Sequence, residues 1–139
     1  MGDIVKRYPI EYAGRKMPWA KAAVARGLVF LSGVAGRDMD TDEAPPEMRA
    51  QAANCMQMIK DRLEELDSSL ENIVMLTIYV TDLDEYFRER VDRQIIFGFL
   101  EQHAPSFKDV PPAETLLQVA GLARRSMKIE IDVIAATNE

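Results

Sequence analysis

The 139-residue chain has room for one domain, residues 1–139, because about 150 residues bury some 70% of their unfolded surface around a single core. Its 47% apolar and 29% charged content excludes the disordered class, and a net charge of −6 with scattered basic residues disfavours nucleic acid as the main partner. The one cysteine, Cys55, rules out an internal disulfide, and no His/Cys/carboxylate cluster has metal-ligand spacing.

At the N-terminus, Asp3, Lys6 and Arg7 interrupt any apolar targeting segment before Tyr8-Pro9. The longest apolar run, Ile73 to Val80, is far shorter than the ~20 residues of a membrane span, so a cytoplasmic protein without membrane association is expected. Two short apolar runs, Ala22–Ala25 and Leu28–Leu31, flank Arg26-Gly27 and predict a tight hairpin, after which Gly33, Gly36 and Asp38 suit a loop. Pro45-Pro46 opens a helix of about five turns, with Met48, Ala52, Cys55, Met56, Ile59, Leu63 and Leu66 on one face. Cys55 on that face is expected to be a core thiol.

Asp67-Ser68-Ser69 ends this helix, and Ile73–Val80 then reads as a central strand covered on both faces, because it is β-rich and does not alternate. From about Tyr86 a second helix places Phe87, Val91, Ile95 and Phe99 on a stripe, ending at His103-Ala104-Pro105. Pro111-Pro112 leads into a strand at 115–120, followed by a loop over 121–126. In the last element, 127–136, Lys128, Glu130 and Asp132 alternate with Ile129, Ile131 and Val133, which predicts a strand with one polar and one buried face. The order β-β-β-α-β-α-β-β fits an α+β domain with two helices on one face of a mixed sheet. The other sheet face needs its own cover, and copies of the chain closing into a ring are the simplest one.

Four stretches carry a family resemblance over about residues 17–136. Pro18-Trp19-Ala20-Lys21-Ala22 resembles the PYSQA segment of the RidA (YjgF, L-PSP, reactive intermediate deaminase) family, and Leu31-Ser32-Gly33 resembles its V-S-G-Q stretch. Tyr79-Val80-Thr81-Asp82-Leu83 resembles its F-L-T-D-M, and Pro112-Ala113 with 128–135 resembles P-A-R-S and V-E-I-E-A-I-A. The resemblance implies a chorismate-mutase-like (bacillus type) fold with about six strands. It also implies a homotrimer with a central β-barrel and clefts between subunits, and hydrolysis of enamines and imines such as 2-aminoacrylate to a keto acid and ammonia without a cofactor.

The resemblance also implies the site. Glu130 corresponds to the acidic residue that positions the attacking water, and Trp19, Ser32, Asp92, Thr115 and Leu116 are the implied substrate-binding residues. Glu114 stands where the family has an arginine that clamps the substrate carboxylate, so an ordinary 2-imino acid loses that anchor. If Glu114 and Glu130 share a cleft, mutual repulsion raises one pKa, and the pair becomes a general acid and base suited to cationic or neutral substrates. The plainer readings pair Glu114 with Arg124 or Arg125, put Glu130 on an exposed edge strand, and give the Ser32 hydroxyl to the turn backbone. Trp19, Met17 and Phe107 are candidates for an apolar wall or for core packing, and His103 for a solvated position after a helix. Arg37, Arg124 and Arg125 are the candidates for holding an anion. The functions left open are a cofactor-free hydrolase of a small imine or enamine, a non-catalytic ligand-binding or regulatory trimer, and an endoribonuclease or translation inhibitor, the last disfavoured by the acidic residues.

Overall fold

The computed structural model describes residues 4–138, so Asp3 lies outside it, and the described chain begins with a three-stranded meander. Strand β1 (Lys6–Tyr12) pairs antiparallel with β2 (Arg15–Ala25), which pairs antiparallel with β3 (Leu28–Ala35). The β2–β3 turn is the expected Arg26-Gly27, with φ of 53° and 75°. Two successive positive φ values match the twist of the flanking strands, and Gly27 takes the second without a Cβ penalty.

Helix α1 (Met48–Glu65) buries the apolar face read from its spacing, together with two polar residues on the same side, Gln51 and Arg62. Asp67, at φ 56°, turns the chain out of the helix and toward β4 (Ile73–Val80). β4 lies between β5 (Ala113–Gln118), to which it is parallel, and β6 (Ile129–Ala136), to which it is antiparallel. The six-stranded mixed sheet runs β1-β2-β3-β6-β4-β5. β6 is therefore interior, which corrects the edge-strand reading of Glu130.

The predicted second helix is three segments. Asp82 caps α2 (Leu83–Arg88) by accepting from the Glu85 N–H at 3.1 Å, so helix begins before Tyr86. Arg90, at φ 52°, breaks it, and a π-helical turn over Val91–Ile96 leads into α3 (Phe97–His103). The interruption rotates the buried stripe to Tyr86, Val91, Ile96 and Leu100, and leaves Phe87 exposed.

All these helices cover one sheet face and enclose Val29, Leu31, Leu76, Ile78, Ile131 and Val133. Complete burial of each large aliphatic side chain contributes roughly 1.5–3 kcal/mol. The opposite face is open within one chain: along β4, Val74 is exposed and Met75, Thr77 and Tyr79 are half-buried. The expected cover on both faces of β4 is thus absent from the single chain, because no helix reaches that side. Among the described residues no helix is long and apolar enough to cross a membrane.

Candidate active site

The site starts from an irregularity in β3. Its pairing with β6 shifts between Leu31 and Val34, which leaves Ser32 and Gly33 in a bulge. The Ser32 hydroxyl donates to the Ala20 carbonyl at 2.6 Å, the backbone-satisfying role considered above, and its oxygen still faces the adjoining cleft. Gly33 makes room for Glu130, since a Cβ there would stand 2.7 Å from the Glu130 carboxyl carbon. Burial and the neighbouring Asp132 hold the Glu130 carboxyl above its ordinary pKa, and Arg37 opposes them.

This carboxyl faces a cleft of about 670 Å³ that also takes in Trp19 and Met17. Trp19 is 46% exposed, enough to offer a ring face to a ligand. Phe107 is not part of this wall; it is buried in the 3-10 turn Pro105–Lys108.

The rest of the cleft is cationic, with five basic side chains against the two carboxylates of Asp42 and Glu130. The Arg37 guanidinium lies over the Tyr12 ring, 3.9 Å from its centre. Arg62 Nη2 donates to the Tyr12 hydroxyl at 3.0 Å. Arg124 pairs with the Asp42 carboxylate and donates to the Asp42 carbonyl at 2.9 Å, which removes it as a partner for Glu114. Arg37 Nη1 stands 3.0 Å from the same carboxylate, an ionic contact rather than an aligned hydrogen bond. Of the arginines proposed for anion binding, Arg37 and Arg124 line the cleft and Arg125 does not. Sequence reasoning missed Tyr12, Asp42 and Arg62; for Arg62 the one available signal is its place on the line Cys55–Ile59–Arg62 of α1, continued by Leu66 just past its end.

Glu114 and Asp92 lie elsewhere. The parallel register Leu76↔Glu114 and Ile78↔Leu116 turns Glu114 and Leu116 toward the helices, where they form a shallow pocket with Asp92, Tyr86 and Phe87. Burial first, then Asp92, raises the Glu114 carboxyl. The Tyr86 hydroxyl in this pocket is buried without a partner among the described residues, and burial, Glu114 and Asp92 push its pKa up. Thr115, opposite Thr77, faces the open side of the sheet instead. The two pockets share no lining residue, so within one chain Glu114 and Glu130 do not meet, and the acidic pair Glu114–Asp92 does not crowd the Glu130 cleft.

Two residues outside these pockets read as expected. Cys55 is fully buried, its Sγ 3.3 Å from the Val34 carbonyl and its thiol pushed up by burial, which suits a core thiol. His103 is exposed at the end of α3, beside Phe99 at 4.3 Å between ring centres.

The family description Endoribonuclease L-PSP matches residues 13–137. The chain belongs to the RidA/YjgF/L-PSP family. Within this family it is 29% identical over 118 residues to a RutC family protein of Pasteurella multocida, covering 85% of this chain and 86% of that one. It is 25% identical over 118 residues, 85% of each chain, to TdcF of Escherichia coli, whose name assigns it provisionally as a reactive intermediate deaminase. A crystal structure of Escherichia coli TdcF with bound serine superposes with a TM-score of 0.78 at 23% identity, covering 99% of this chain and all of that one. The α+β fold with a mixed six-stranded sheet is therefore that of the YjgF structures. The family includes members named for deamination and others named for RNA cleavage.

Proposed function

We propose that this family member is a cofactor-free hydrolase of a small imine, enamine or related metabolite, acting in clefts between the copies of a homotrimer. The observation that carries the reading is Glu130, a half-buried carboxyl with a raised pKa, seated over Gly33 in a cleft that also holds Trp19 and Ser32. A carboxylate poised closer to neutrality is a better general base for water than an ordinary one.

In the reaction Glu130 takes a proton from water as the water oxygen bonds to the C=N carbon, and that proton passes to nitrogen. Collapse of the carbinolamine passes its hydroxyl proton through Glu130 to the nitrogen, forms C=O, breaks the C–N bond and releases ammonia. One water is consumed and nothing is oxidised or reduced. Trp19 supplies a flat wall for the planar C=N group. With its own proton committed to Ala20, Ser32 Oγ is an acceptor for a substrate N–H.

A neighbouring copy would bring Glu114, Asp92 and Leu116 to the mouth of this cleft, while Thr115 joins the contact between sheets. Glu114 at the expected arginine position leaves that end without a cation for an ordinary 2-imino acid. The same residue favours a second reading, a ligand-binding or regulatory trimer without catalysis. RNA cleavage has less support, because the cationic side chains gather in one cleft rather than along a surface that tracks a phosphate backbone.

Ammonia release from freshly generated 2-aminoacrylate and from a panel of neutral and cationic imines tests the hydrolase. At least one member should turn over faster with protein, and Glu130→Gln should lower that kcat/KM by about 10²–10⁴-fold, the usual worth of a general base. Saturable ligand binding with no acceleration on any member would instead establish the binding module.

A further inference from the structure

Arg62 is 3% exposed, yet no carboxylate stands within ion-pair distance of it among the described residues. Its neutral contacts are the Tyr12 hydroxyl and the Met39 sulfur at 3.6 Å, and its Nε has no acceptor. A buried guanidinium with neutral partners carries a large desolvation cost, which an anion reaching it would offset. Over the face of the Tyr12 ring, Arg37 Nε likewise has no hydrogen-bond partner among the described residues. Asp42 is shared by Arg37 and Arg124, with the exposed Arg15 at 3.9 Å, so this single carboxylate leaves positive charge over. In a chain of net charge −6, this concentration is a local reversal of sign in the cleft that holds Glu130.

We infer that Arg37, over the Tyr12 ring, and Arg62, at its hydroxyl, supported by Arg124, form an oxyanion site that binds the carboxylate of the substrate, in place of an arginine on β5. This rests on the reading of the Glu130 cleft as the ligand site, but not on hydrolysis. The guanidinium groups of Arg37, Arg62 and Arg124 line the cleft, and guanidinium forks suit a planar carboxylate. The carboxylate enters on the wall formed by α1 and the segment after β3, leaving the reacting carbon to Glu130, Ser32 and Trp19.

Trp19 is the only tryptophan of the chain and lines the same cleft, so its fluorescence reports occupancy. Titration of the full-length protein with pyruvate should give a saturable change, with pyruvamide binding at least 10-fold more weakly. Inorganic phosphate is the competing oxyanion arm and should also bind more weakly than pyruvate. Arg37→Gln and Arg62→Gln should each raise the pyruvate Kd about 10-fold or more, the worth of a charge-assisted hydrogen bond. Arg62→Lys should recover only part of the loss, because it keeps the charge without the fork.

Since Arg62 is buried in α1, circular dichroism must show each variant folded, and Arg37→Gln decides the matter if Arg62→Gln does not fold. Unchanged Kd in folded variants, equal binding of pyruvamide, or tighter binding of phosphate would overturn the carboxylate site. Pyruvate binding that depends on the arginines, with no ammonia release from any imine, would end the hydrolase reading and leave this site standing. Catalysis with no effect of the arginine variants would do the reverse.

Discussion

Glu130 faces the cleft from a position that is unfavourable for its charge. Its pKa is raised because burial and Asp132 disfavour the charged form in the folded chain, with Arg37 only partly compensating. The unfolded carboxyl titrates near its ordinary value of about 4.3, so between that pH and the higher folded pKa the native state binds the proton more tightly. Stability associated with this group therefore falls as pH rises through that window and stays lower above it. Glu130→Gln removes the ionisation and should have a higher Tm than the parent at pH 7.5, with the difference shrinking toward zero at pH 4. Paired thermal melts at the two pH values check this, and an equal difference at both would point to a packing effect. Under the proposed hydrolase reading, a general-base carboxyl that lowers stability where it is ionised fits the trade between activity and stability found at functional sites.

At the scale of elements, apolar periodicity made most of the fold legible in the sequence, and polar residues on apolar faces hid the rest. The Arg26-Gly27 hairpin, the extent of α1 and the alternation of β6 follow from turn chemistry and spacing, and each stands where those signals put it. The break at Arg90 carries no such signal, since nothing about an arginine announces a left-handed backbone, and the stripe read through it came out rotated. Trp19, Ser32 and Glu130 were legible as a group because their segments resemble a family. Arg62 was not, because a scan for apolar spacing passes over a charge on the buried face.

Gln51 is the other residue hidden in this way. Fully buried in α1, it donates through Nε2 to the carbonyls of Pro45 and Ser126, both at 2.8 Å, and accepts from the Lys128 N–H through Oε1 at 2.8 Å. One side chain thereby ties α1 to the segment before it and to the approach to β6. Gln51→Leu keeps the volume roughly constant and orphans three backbone groups at once. Pro45 and Lys128 are half-buried and Ser126 is exposed, so part of each loss is recovered by water and a destabilisation of roughly 1–3 kcal/mol is expected. Urea unfolding monitored by circular dichroism measures it, and a loss below about 1 kcal/mol would mean that water takes over these bonds.

The whole molecule leaves one sheet face without cover, and its pattern suits another protein surface better than solvent. Register places Phe30 beside Ile134 and Ile134 beside Met75, an apolar row across three adjacent strands, with Phe30 42% exposed and the nearby Val74 49% exposed. Below it Tyr79 donates to the Asp132 carboxylate at 2.9 Å, which fixes two polar groups on the same face. Contiguous exposed apolar area of this kind marks association surfaces in soluble proteins. Under the proposed trimer, this face packs on its copies, and that packing carries the Glu114 pocket of one chain to the Glu130 cleft of the next. The double variant Phe30→Arg/Val74→Arg introduces six guanidinium groups into a three-chain contact, where burial of unpaired charge is costly. It should run as a folded monomer in light scattering coupled to gel filtration, against a trimer for the parent, and its ammonia release should fall with the loss of the second wall. Since neither residue lines the Glu130 cleft, pyruvate binding at the arginines should survive to the extent that one chain forms that site alone. A parent protein that is itself monomeric, or a variant that stays trimeric, would remove the open face as the assembly surface.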